Sequence, residues 1–338
     1  MMKPTLDELL SVVAKTIVPH TAFESGRQRL RQAWATHRPG DVGGIGVLAE
    51  SRSGKTSLTG EFKQEHRTER TADGIHAPVL AVRMPTAPTV KGLCEQILTA
   101  LDDREAHKGT QSGLETRSRN LSKACGVKAL FIEEYHQVFN PTRGAHMYSF
   151  GEFLKNYSEE VGALIVPIGL PHAEFALKHN EQLTGRMKAP IRLPRFDWSD
   201  PDSKEEFIAI LEAMHMSIRR FFRLPEIQTD RIAFLFFCAT GGIIGYIAKI
   251  LDQAVRTAAL ERHNQITLED LACAHENCMD PRDFAILNVS PFSDRFSPKV
   301  DEVFMSRVMR VGVRPEEAPG MLPTRRRRGG MDMVLVSA

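Results

Sequence analysis

Residues 49–56 combine the residue types that bind phosphate. They read A-E-S-R-S-G-K-T, which is the pattern G-x-x-x-x-G-K-[ST] with alanine at the first position. Gly54 allows the backbone to turn its N–H groups towards a phosphate, and a helix that begins there adds positive potential. Lys55 carries a charge suited to the β- and γ-phosphates of ATP, and the Thr56 hydroxyl is a ligand for Mg²⁺. We therefore expect a nucleotide-binding loop formed by Glu50, Ser51, Arg52, Ser53, Gly54, Lys55, Thr56 and Ser57.

Two adjacent carboxylates follow another apolar run. The run ends at Ile132, and Glu133 and Glu134 come next. In α/β sheets, ligands bind at the carboxyl ends of the strands. Glu133 is therefore expected to hold Mg²⁺ through its hydration shell, and Glu134 to polarise the water that attacks the γ-phosphate. Together with Lys55, these residues predict an ATPase, and a solvated acidic loop is the alternative.

Five short apolar runs are expected to form the strands that position these residues. Helical patterns separate the runs, which is typical of a parallel sheet with helices on both faces. The predicted strands are residues 44–49, 78–83, 128–132, 163–168 and 190–194. Four S/T-x-x-E patterns indicate helix starts with capping boxes. They begin at Thr5, Thr21, Ser112 and Ser203, and they predict helices over residues 6–16, 22–36, 113–125 and 204–222.

The strand pattern ends at Asp200-Pro201, and the chain then reads as helices only. We expect four parts in the chain. They are a helical lead-in over residues 1–40, an α/β nucleotide-binding core over 41–200, a small helical lid over 201–282, and a tail over 283–338. The tail is rich in proline, methionine and arginine, so we expect it to be partly disordered and open to contact with a partner.

The composition is that of a globular protein without a strong overall charge. Hydrophobic residues make up 42% and charged residues 25%, and 44 Lys and Arg against 42 Asp and Glu give a net charge of +2. This composition excludes global disorder, and it requires any nucleic-acid surface to come from a local patch. The five cysteines are widely spaced without a C-x-x-C pair, which predicts buried, reduced thiols.

One uncharged window, residues 232–248, approaches the length of a membrane span. Thr240-Gly241-Gly242 interrupts it, which predicts two buried helices that meet at a glycine turn. The first residues of the chain include acidic side chains within an apolar stretch and no cleavage site for a signal peptide. We therefore expect a soluble, cytoplasmic protein without membrane contact.

Several motifs in a fixed order resemble one family, the TniB/TnsC-type AAA+ ATPases that regulate DNA transposition in Tn7-like and CRISPR-associated transposons. The resemblance covers roughly residues 15–280. The motifs that carry it are A-E-S-R-S-G-K-T, K-G-T-Q-S-G-L-E-T-R-S-R, F-I-E-E-Y-H, a strand ending in G-L-P-H-A, N-E-Q-L-T-G-R, L-P-R-F and the lid phrase T-G-G-I-I-G-Y-I-A-K-I-L. It implies an AAA+ P-loop NTPase core with a five-stranded parallel sheet, followed by a small helical lid.

The resemblance also implies partners and further site residues. It implies a homo-oligomer, as a ring or helical filament, around double-stranded DNA, with contacts to a transposase and to a TniQ-like target-selection protein. Arg186 would face the next subunit as an arginine finger, with a plain surface arginine as the alternative. Residues 17–20, which are Ile17, Val18, Pro19 and His20, lie where relatives cover the adenine, and a plain end of the first helix is the alternative. Tyr246 stands where many relatives carry a lid arginine, and Lys249, one turn further on, is the possible substitute.

Three departures from the family pattern bear on hydrolysis. Glu133 replaces the usual aspartate, the segment from Ile168 to Pro171 lacks a polar first-sensor residue, and Tyr246 replaces the lid arginine. Each departure weakens the expectation of fast ATP turnover more than that of nucleotide binding.

A basic cluster between the second and third predicted strands suits contacts to DNA phosphates. It consists of Lys91, Lys108, Thr110, Arg117 and Arg119. No aromatic residue interleaves with these residues, so stacking on single-stranded bases is disfavoured. A solvated helix is the alternative. The arginine run 325–328 is expected to contact DNA or an acidic partner, or to serve solubility only.

The sequence as a whole predicts an ATP-dependent, DNA-binding AAA+ regulator that oligomerises on target DNA and recruits a transposase. Two alternatives stay open. One is an AAA+ ATPase that loads a replicative helicase, and the other is a nucleotide-binding interaction module with little hydrolysis.

Overall fold

A five-stranded parallel sheet lies at the centre of the first two thirds of the chain. The structure is a computed structural model that describes residues 5–313 except 17, 39, 73, 141–143 and 281–286. The strands of the sheet are β1 (Gly44–Ala49), β4 (Val79–Arg83), β5 (Ala129–Glu133), β6 (Leu164–Gly169) and β7 (Met187–Leu193). They lie in the order β4-β5-β6-β1-β7, and each neighbouring pair is parallel. The predicted five-stranded parallel sheet is confirmed.

Helices cover both faces of this sheet because the strands are apolar on both sides. Along β5, Leu130 and Ile132 enter one buried cluster, and Ala129 and Phe131 enter the other. A short antiparallel hairpin of β2 (Glu69–Thr71) and β3 (Gly74–His76) was not predicted. The helices of this part are α1 (Leu6–Leu10), α2 (Thr21–Thr36), α3 (Lys55–Glu65), α4 (Val90–Ala100), α5 (Gln111–Ala124), α6 (Gly144–Val161), α7 (Ala173–Lys178) and α8 (Glu181–Thr184), with a 3-10 turn over Tyr135–Val138.

A second apolar core belongs to the helices after the sheet. These helices are α9 (Pro201–Ile218), α10 (Asp230–Thr240), α11 (Ile244–Leu260), α12 (Leu268–Cys278) and α13 (Glu302–Val308). Val12 and Val13 from the start of the chain and Val308 and Val311 from its far end join this lid cluster. The described residues after 286 therefore pack onto the lid. Ile17 and the arginine run 325–328 lie outside the described residues.

The glycine turn predicted between two buried helices is present. α10 and α11 meet at 105°, and Gly241 and Gly242 between them have φ angles of 57° and 76°. A Cβ on Gly242 would lie 2.2 Å from the carbonyl oxygen of Phe196, so glycine is required for this close approach. In the described part of the chain, no single helix is long and apolar enough to cross a membrane.

Only one of the four predicted capping boxes forms. Thr5 and Glu8 cap each other's backbone N–H groups as expected. The other three caps were wrong, since the N-cap residues are His20, Thr110 and Asp200. Asp200 accepts from the Ser203 N–H at 3.2 Å and precedes a proline at the first helical position, so that helix begins before the predicted residue 204.

The first helix is also shorter than the predicted range 6–16. It ends at Leu10, and turns follow over residues 11–15. This change of direction carries Val12 and Val13 into the lid cluster. The remaining predicted helices and strands differ from the observed ones by at most four residues at either end. The five cysteines form no disulfide with one another. Cys94, Cys125 and Cys238 are buried as expected, whereas Cys278 is only partly buried and Cys273 is exposed.

Candidate nucleotide-binding site

The phosphate loop lies between β1 and α3, as predicted. Gly54 is the N-cap of α3 with a φ of 94°, a left-handed conformation that favours glycine. The Lys55 ammonium donates to the carbonyls of Ala49 and Glu50, both at 2.7 Å. The Ser53 hydroxyl is buried and has no hydrogen-bond partner among the described residues. The loop thus presents a helix N-terminus, a lysine and an unpaired hydroxyl, which are groups suited to phosphate oxygens.

Two cavities meet at Lys55 and Thr56. A polar cavity of about 240 Å³ is lined by Ser51, Lys55, Thr56, Thr59, Glu133, Glu134, His136, Gln137, Ile168, Gly169 and Leu170. A more apolar cavity of about 360 Å³ lies between the loop and the lid. It is lined by Val13, Ala14, Thr16, Val18, His20, Phe23, residues 52–57, Met214, Ile244, Gly245 and Ala248. The first suits phosphates with a metal, and the second suits an aromatic base.

His20 is the polar ring of the apolar cavity. Its centroid lies 5.3 Å from that of Phe196 in an edge contact and 6.1 Å from that of Phe23. Burial lowers the pKa of His20, and the carboxylate of Glu206 opposes this shift. The ring is therefore a neutral, mostly apolar surface at neutral pH, as covering an adenine requires.

The two predicted carboxylates line the polar cavity, and each already has a cationic neighbour. Glu133 Oε1 accepts from the Lys63 ammonium at 2.7 Å. Glu134 lies 4.0 Å from the Arg83 guanidinium and 3.4 Å from His136 Nε2. Glu133 and Glu134 are thus held by different partners.

The backbone is closely packed at the end of β6, in the segment that lacks a polar first-sensor residue. A Cβ on Gly169 would lie 3.0 Å from the backbone nitrogen of His136. The rings of His136 and His172 pack edge to face, with centroids 5.4 Å apart. His136 and Gln137 therefore supply the polar atoms on this side of the cavity.

The lid touches the loop directly at Arg52. The Gly245 N–H donates to the Arg52 carbonyl at 2.9 Å, and a Cβ on Gly245 would lie 2.5 Å from that oxygen. Tyr246 is only 4% exposed, and its ring lies 5.7 Å from the Arg52 guanidinium. Lys249 is not among the residues that line either cavity, and its charge lies near Cys278 instead. The carboxylate of Glu50 also points elsewhere, towards Arg195.

The predicted DNA cluster separates into an exposed set and a partly buried, ion-paired set. The Lys91 ammonium lies 3.9 Å from the Glu95 carboxylate, and the Lys108 ammonium lies 2.8 Å from the Glu105 carboxylate. The hydroxyl of the exposed Thr110 accepts from the Gly113 N–H and so caps α5. These residues lie around the N-terminal ends of α4 and α5.

The two arginines of the cluster are ion-paired within the fold. Arg117 lies 2.7 Å from Asp103. Arg119 is 14% exposed and lies 3.0 Å from Glu160 on α6 and 3.7 Å from Glu115. Arg119 therefore faces the neighbouring helix rather than the surface that carries Lys108.

Arg186 lies at the opposite edge of the sheet from the phosphate loop. It is exposed and lines a cavity of about 460 Å³ with Lys188, Gly43, Gly44 and Leu164, at the amino ends of β1, β6 and β7. Among the described residues, its guanidinium has no ion-pair partner. The phosphate loop follows the carboxyl end of β1, so Arg186 does not belong to the site that this loop forms within its own chain.

Two residues of the site, Lys63 and Arg83, were missed. Lys55, Thr59 and Lys63 follow each other at four-residue spacing, so they share one face of α3. That spacing was the available signal for Lys63. Arg83 ends β4, which pairs with β5 and places Arg83 opposite Glu133. Because the strands were predicted without their order, the sequence offered no signal for this neighbour.

The strand order, the loop after β1 and the helical lid together define an AAA+ P-loop fold. Solved structures with this fold include Cdc6p from Pyrobaculum aerophilum, with a TM-score of 0.58, 14% identity, and coverage of 89% of this chain and 83% of that chain. Another is ORC2 of Aeropyrum pernix in its ADP form, with a TM-score of 0.54, 12% identity, and coverage of 82% and 76%. A third is ORC1 of Aeropyrum pernix in complex with DNA, with a TM-score of 0.51, 12% identity, and coverage of 83% and 72%.

Sequence comparison gives the family. The family model described as "Bacterial TniB protein" matches residues 9–198, which is more than half of the chain. The chain therefore belongs to the TniB family, and the family resemblance carried by the motifs is confirmed. No curated protein matches the sequence of this chain.

Proposed function

We propose that this chain is an ATP-switched regulator of DNA transposition that assembles as a homo-oligomer on double-stranded DNA and recruits a transposase, linking it to a TniQ-like target-selection protein. The observation that carries the proposal is the junction of the two cavities at Lys55 and Thr56. At this junction the two cavities offer room for a base and a triphosphate beside the carboxylates of Glu133 and Glu134. Membership of the TniB family supports the link to transposition.

The chain's own residues divide the chemistry between the two cavities. The adenine would lie against His20 and Phe23, and the phosphates would receive the loop N–H groups and the Lys55 ammonium. Bound Mg²⁺ would neutralise charge on the β- and γ-phosphates, and Thr56 and Glu133 are the residues suited to hold it. Glu134 would orient the attacking water and accept its proton.

Two further surfaces would connect the nucleotide to assembly. Arg186 would reach the γ-phosphate of the neighbouring subunit, so that interfaces close only on ATP. Lys91, Lys108 and Thr110 would contact DNA phosphates, and the ion-paired Arg117 would lie beside them. Binding through phosphates predicts tolerance of DNA sequence and a strong dependence on salt.

Replacing Lys55 tests the proposal directly. Lys55→Ala removes the charge at the phosphates and is expected to abolish both the binding of a fluorescent ATP analogue and ATP-dependent assembly on duplex DNA. Lys178→Ala, an exposed lysine on α7, is the control and should bind and assemble normally. The readouts are fluorescence anisotropy for the nucleotide and sedimentation for the oligomer. Normal assembly of Lys55→Ala would contradict the phosphate-loop role.

A second variant separates binding from hydrolysis. Glu134→Gln keeps the shape of the side chain but removes the proton acceptor, so it should slow turnover and prolong the DNA-bound oligomer. If the variant dissolves the oligomer instead, Glu134 is structural. Retention of a purified transposase and of a TniQ-like protein by the ATP-bound oligomer, but not of a replicative helicase, tests the partners.

A binding module with very slow hydrolysis is the second candidate. It is favoured by the cationic neighbours of both carboxylates, because Lys63 lies 2.7 Å from Glu133 and Arg83 lies 4.0 Å from Glu134. The buried Tyr246 adds no charge at the lid. ATP turnover measured with and without duplex DNA distinguishes the two, since the module would show nucleotide-dependent assembly without DNA-stimulated turnover.

A further inference from the structure

Arg195 links the phosphate loop to the far end of the described chain. It follows β7, and its side chain is 7% exposed. Its Nε and Nη2 atoms donate to the two carboxylate oxygens of Glu50, at 2.7 and 2.5 Å. The carbonyl of Glu50 in turn accepts from the Lys55 ammonium at 2.7 Å. Arg195 therefore fixes a residue that helps to hold the phosphate-binding lysine.

The remaining nitrogen of Arg195 faces backbone that comes from elsewhere in the chain. Nη1 donates to the carbonyls of Val311, Met309 and Gly241 at 2.7, 3.1 and 3.3 Å. We name residues 308–312 the C-terminal brace. Val308 and Val311 of the brace are buried in the lid cluster. One guanidinium thus joins the phosphate loop, the end of α10 and the brace.

Two glycines that pack closely against neighbouring groups also hold the brace in place. A Cβ on Gly312 would lie 2.4 Å from the ring of Tyr246, which faces the Arg52 guanidinium of the loop. A Cβ on Gly241 would lie 2.8 Å from the carbonyl oxygen of Val308. The brace and the loop are therefore linked twice, through the hydrogen bonds of Arg195 and through the ring of Tyr246.

We propose that the C-terminal brace sets the nucleotide affinity of the phosphate loop and that Arg195 is the positioning residue that couples them. The inference rests on the proposed nucleotide-binding function. A buried guanidinium must satisfy all its donors. If the brace were displaced, Nη1 would lose its hydrogen bonds to the carbonyls of Met309 and Val311. The guanidinium would then have to move to find other acceptors, and the Glu50 carboxylate that it binds would move with it.

The coupling is reciprocal by thermodynamic necessity. A nucleotide that orders the loop must also stabilise the brace, and a ligand that displaces the brace must weaken nucleotide binding by the same factor. Residues after 313 continue directly from the brace and contain the arginine run 325–328. Under this proposal, a partner that displaces the brace would change nucleotide affinity.

Two substitutions in the full chain test the coupling from opposite sides. Gly312→Ala pushes the brace away from Tyr246, and Arg195→Lys keeps the charge but loses the planar fork that bridges Glu50 and the carbonyls. Each is expected to weaken binding of a fluorescent ATP analogue with Mg²⁺ by about ten-fold, since hydrogen bonds to a charged group are lost.

Each substitution has a matched control that makes the same chemical change away from the brace. Gly74→Ala also places alanine at a positive φ, 129°, but nothing lies within 4 Å of the new Cβ. Arg192→Lys changes an exposed arginine that pairs with Glu174. Both controls should bind the analogue as the natural sequence does.

A second readout separates coupling from simple stability. The amides of Val311 and Val313 donate to the carbonyls of Val308 and Arg310 at 3.0 and 3.1 Å, so their hydrogen exchange reports the brace. The nucleotide should slow this exchange in the natural sequence and not in Arg195→Lys. Lower melting temperatures with unchanged nucleotide affinity in both variants would overturn the inference. In that outcome, loss of binding in Lys55→Ala would leave the proposed function standing.

Discussion

Replacing Lys63 by methionine tests whether Glu133 serves a metal. The Lys63 ammonium lies 2.7 Å from Glu133 Oε1, and the two side chains are 28% and 37% exposed. Methionine keeps the length and helix propensity of the side chain and removes its charge. Because the ammonium both occupies the carboxylate and repels a divalent cation, Lys63→Met should bind Mg²⁺ more tightly in the presence of ATP.

The magnitude follows from the exposure of the pair. Two unit charges 4 Å apart interact by about 1 kcal/mol in water and about 4 kcal/mol at an effective dielectric constant of about 20. Ion pairs between exposed side chains contribute about 0.2–1 kcal/mol. Since both side chains are about one third exposed, about 1 kcal/mol is the appropriate value. It corresponds to a half-saturating Mg²⁺ concentration about five-fold lower.

The assay is a Mg²⁺ titration of ATP-analogue binding and of ATP turnover without DNA. Lys155→Met is the matched control, since the Lys155 ammonium lies 2.8 Å from Glu152 with both side chains similarly covered. The melting temperature of both variants should fall only slightly. Only Lys63→Met should change the half-saturating Mg²⁺ concentration. An unchanged or higher half-saturating concentration in Lys63→Met would refute the assignment of Glu133 to the metal.

Four further outcomes are expected. Lys108→Ala should lower affinity for unrelated duplexes equally and reduce the salt slope by about one unit, whereas Arg119→Ala should lower the melting temperature and leave DNA affinity nearly unchanged. Arg186→Ala should bind ATP as a monomer and fail to assemble on DNA by sedimentation, while Arg192→Ala assembles. Because burial lowers the pKa of His20, its folded form resists protonation. The free energy of unfolding should therefore fall as the pH drops below about 6.5, and urea titrations of His20→Phe should show a smaller fall.

The sheet and the loop were predictable because local sequence decides them. β1 and β5 are short runs of apolar residues that are buried on both faces, a pattern that belongs to central parallel strands. The loop requires glycine at a left-handed position and lysine directly after it, and Gly54 has that conformation. Neither feature depends on distant parts of the chain.

The failed caps show where local sequence stops being sufficient. Thr21 was predicted to cap α2, yet its N–H donates to Glu206 of the lid at 2.9 Å. For α5, Thr110 lies upstream of the predicted Ser112 and accepts from the Gly113 N–H at 3.2 Å. Thr21 does not cap α2 because it makes a tertiary contact with Glu206. Ser112 does not cap α5 because the hydroxyl of Thr110 occupies the N-cap position.

The brace was beyond prediction for a similar reason. Arg195 lies within the L-P-R-F motif. The motif singles out this position but does not show what the side chain binds. Its partners include carbonyls of residues more than one hundred positions away, and backbone carbonyls carry no sequence signature. The burial of Val308 and Val311 likewise depends on the lid cluster that they join.

Under the proposed function, the charges around the polar cavity give a reason why binding of ATP would lead to assembly. In the described part of the chain, Lys63 is held by Glu133 and Arg195 by Glu50, while Lys55 lines both cavities. One lysine and a metal neutralise a triphosphate from one side only. Under the proposed function, the further positive charge comes from Arg186 of a neighbouring subunit, and ADP lacks the phosphate that would reach it. A ligand shifts an equilibrium only by its differential affinity for the two states, and the γ-phosphate supplies that difference between the separate and the assembled protein.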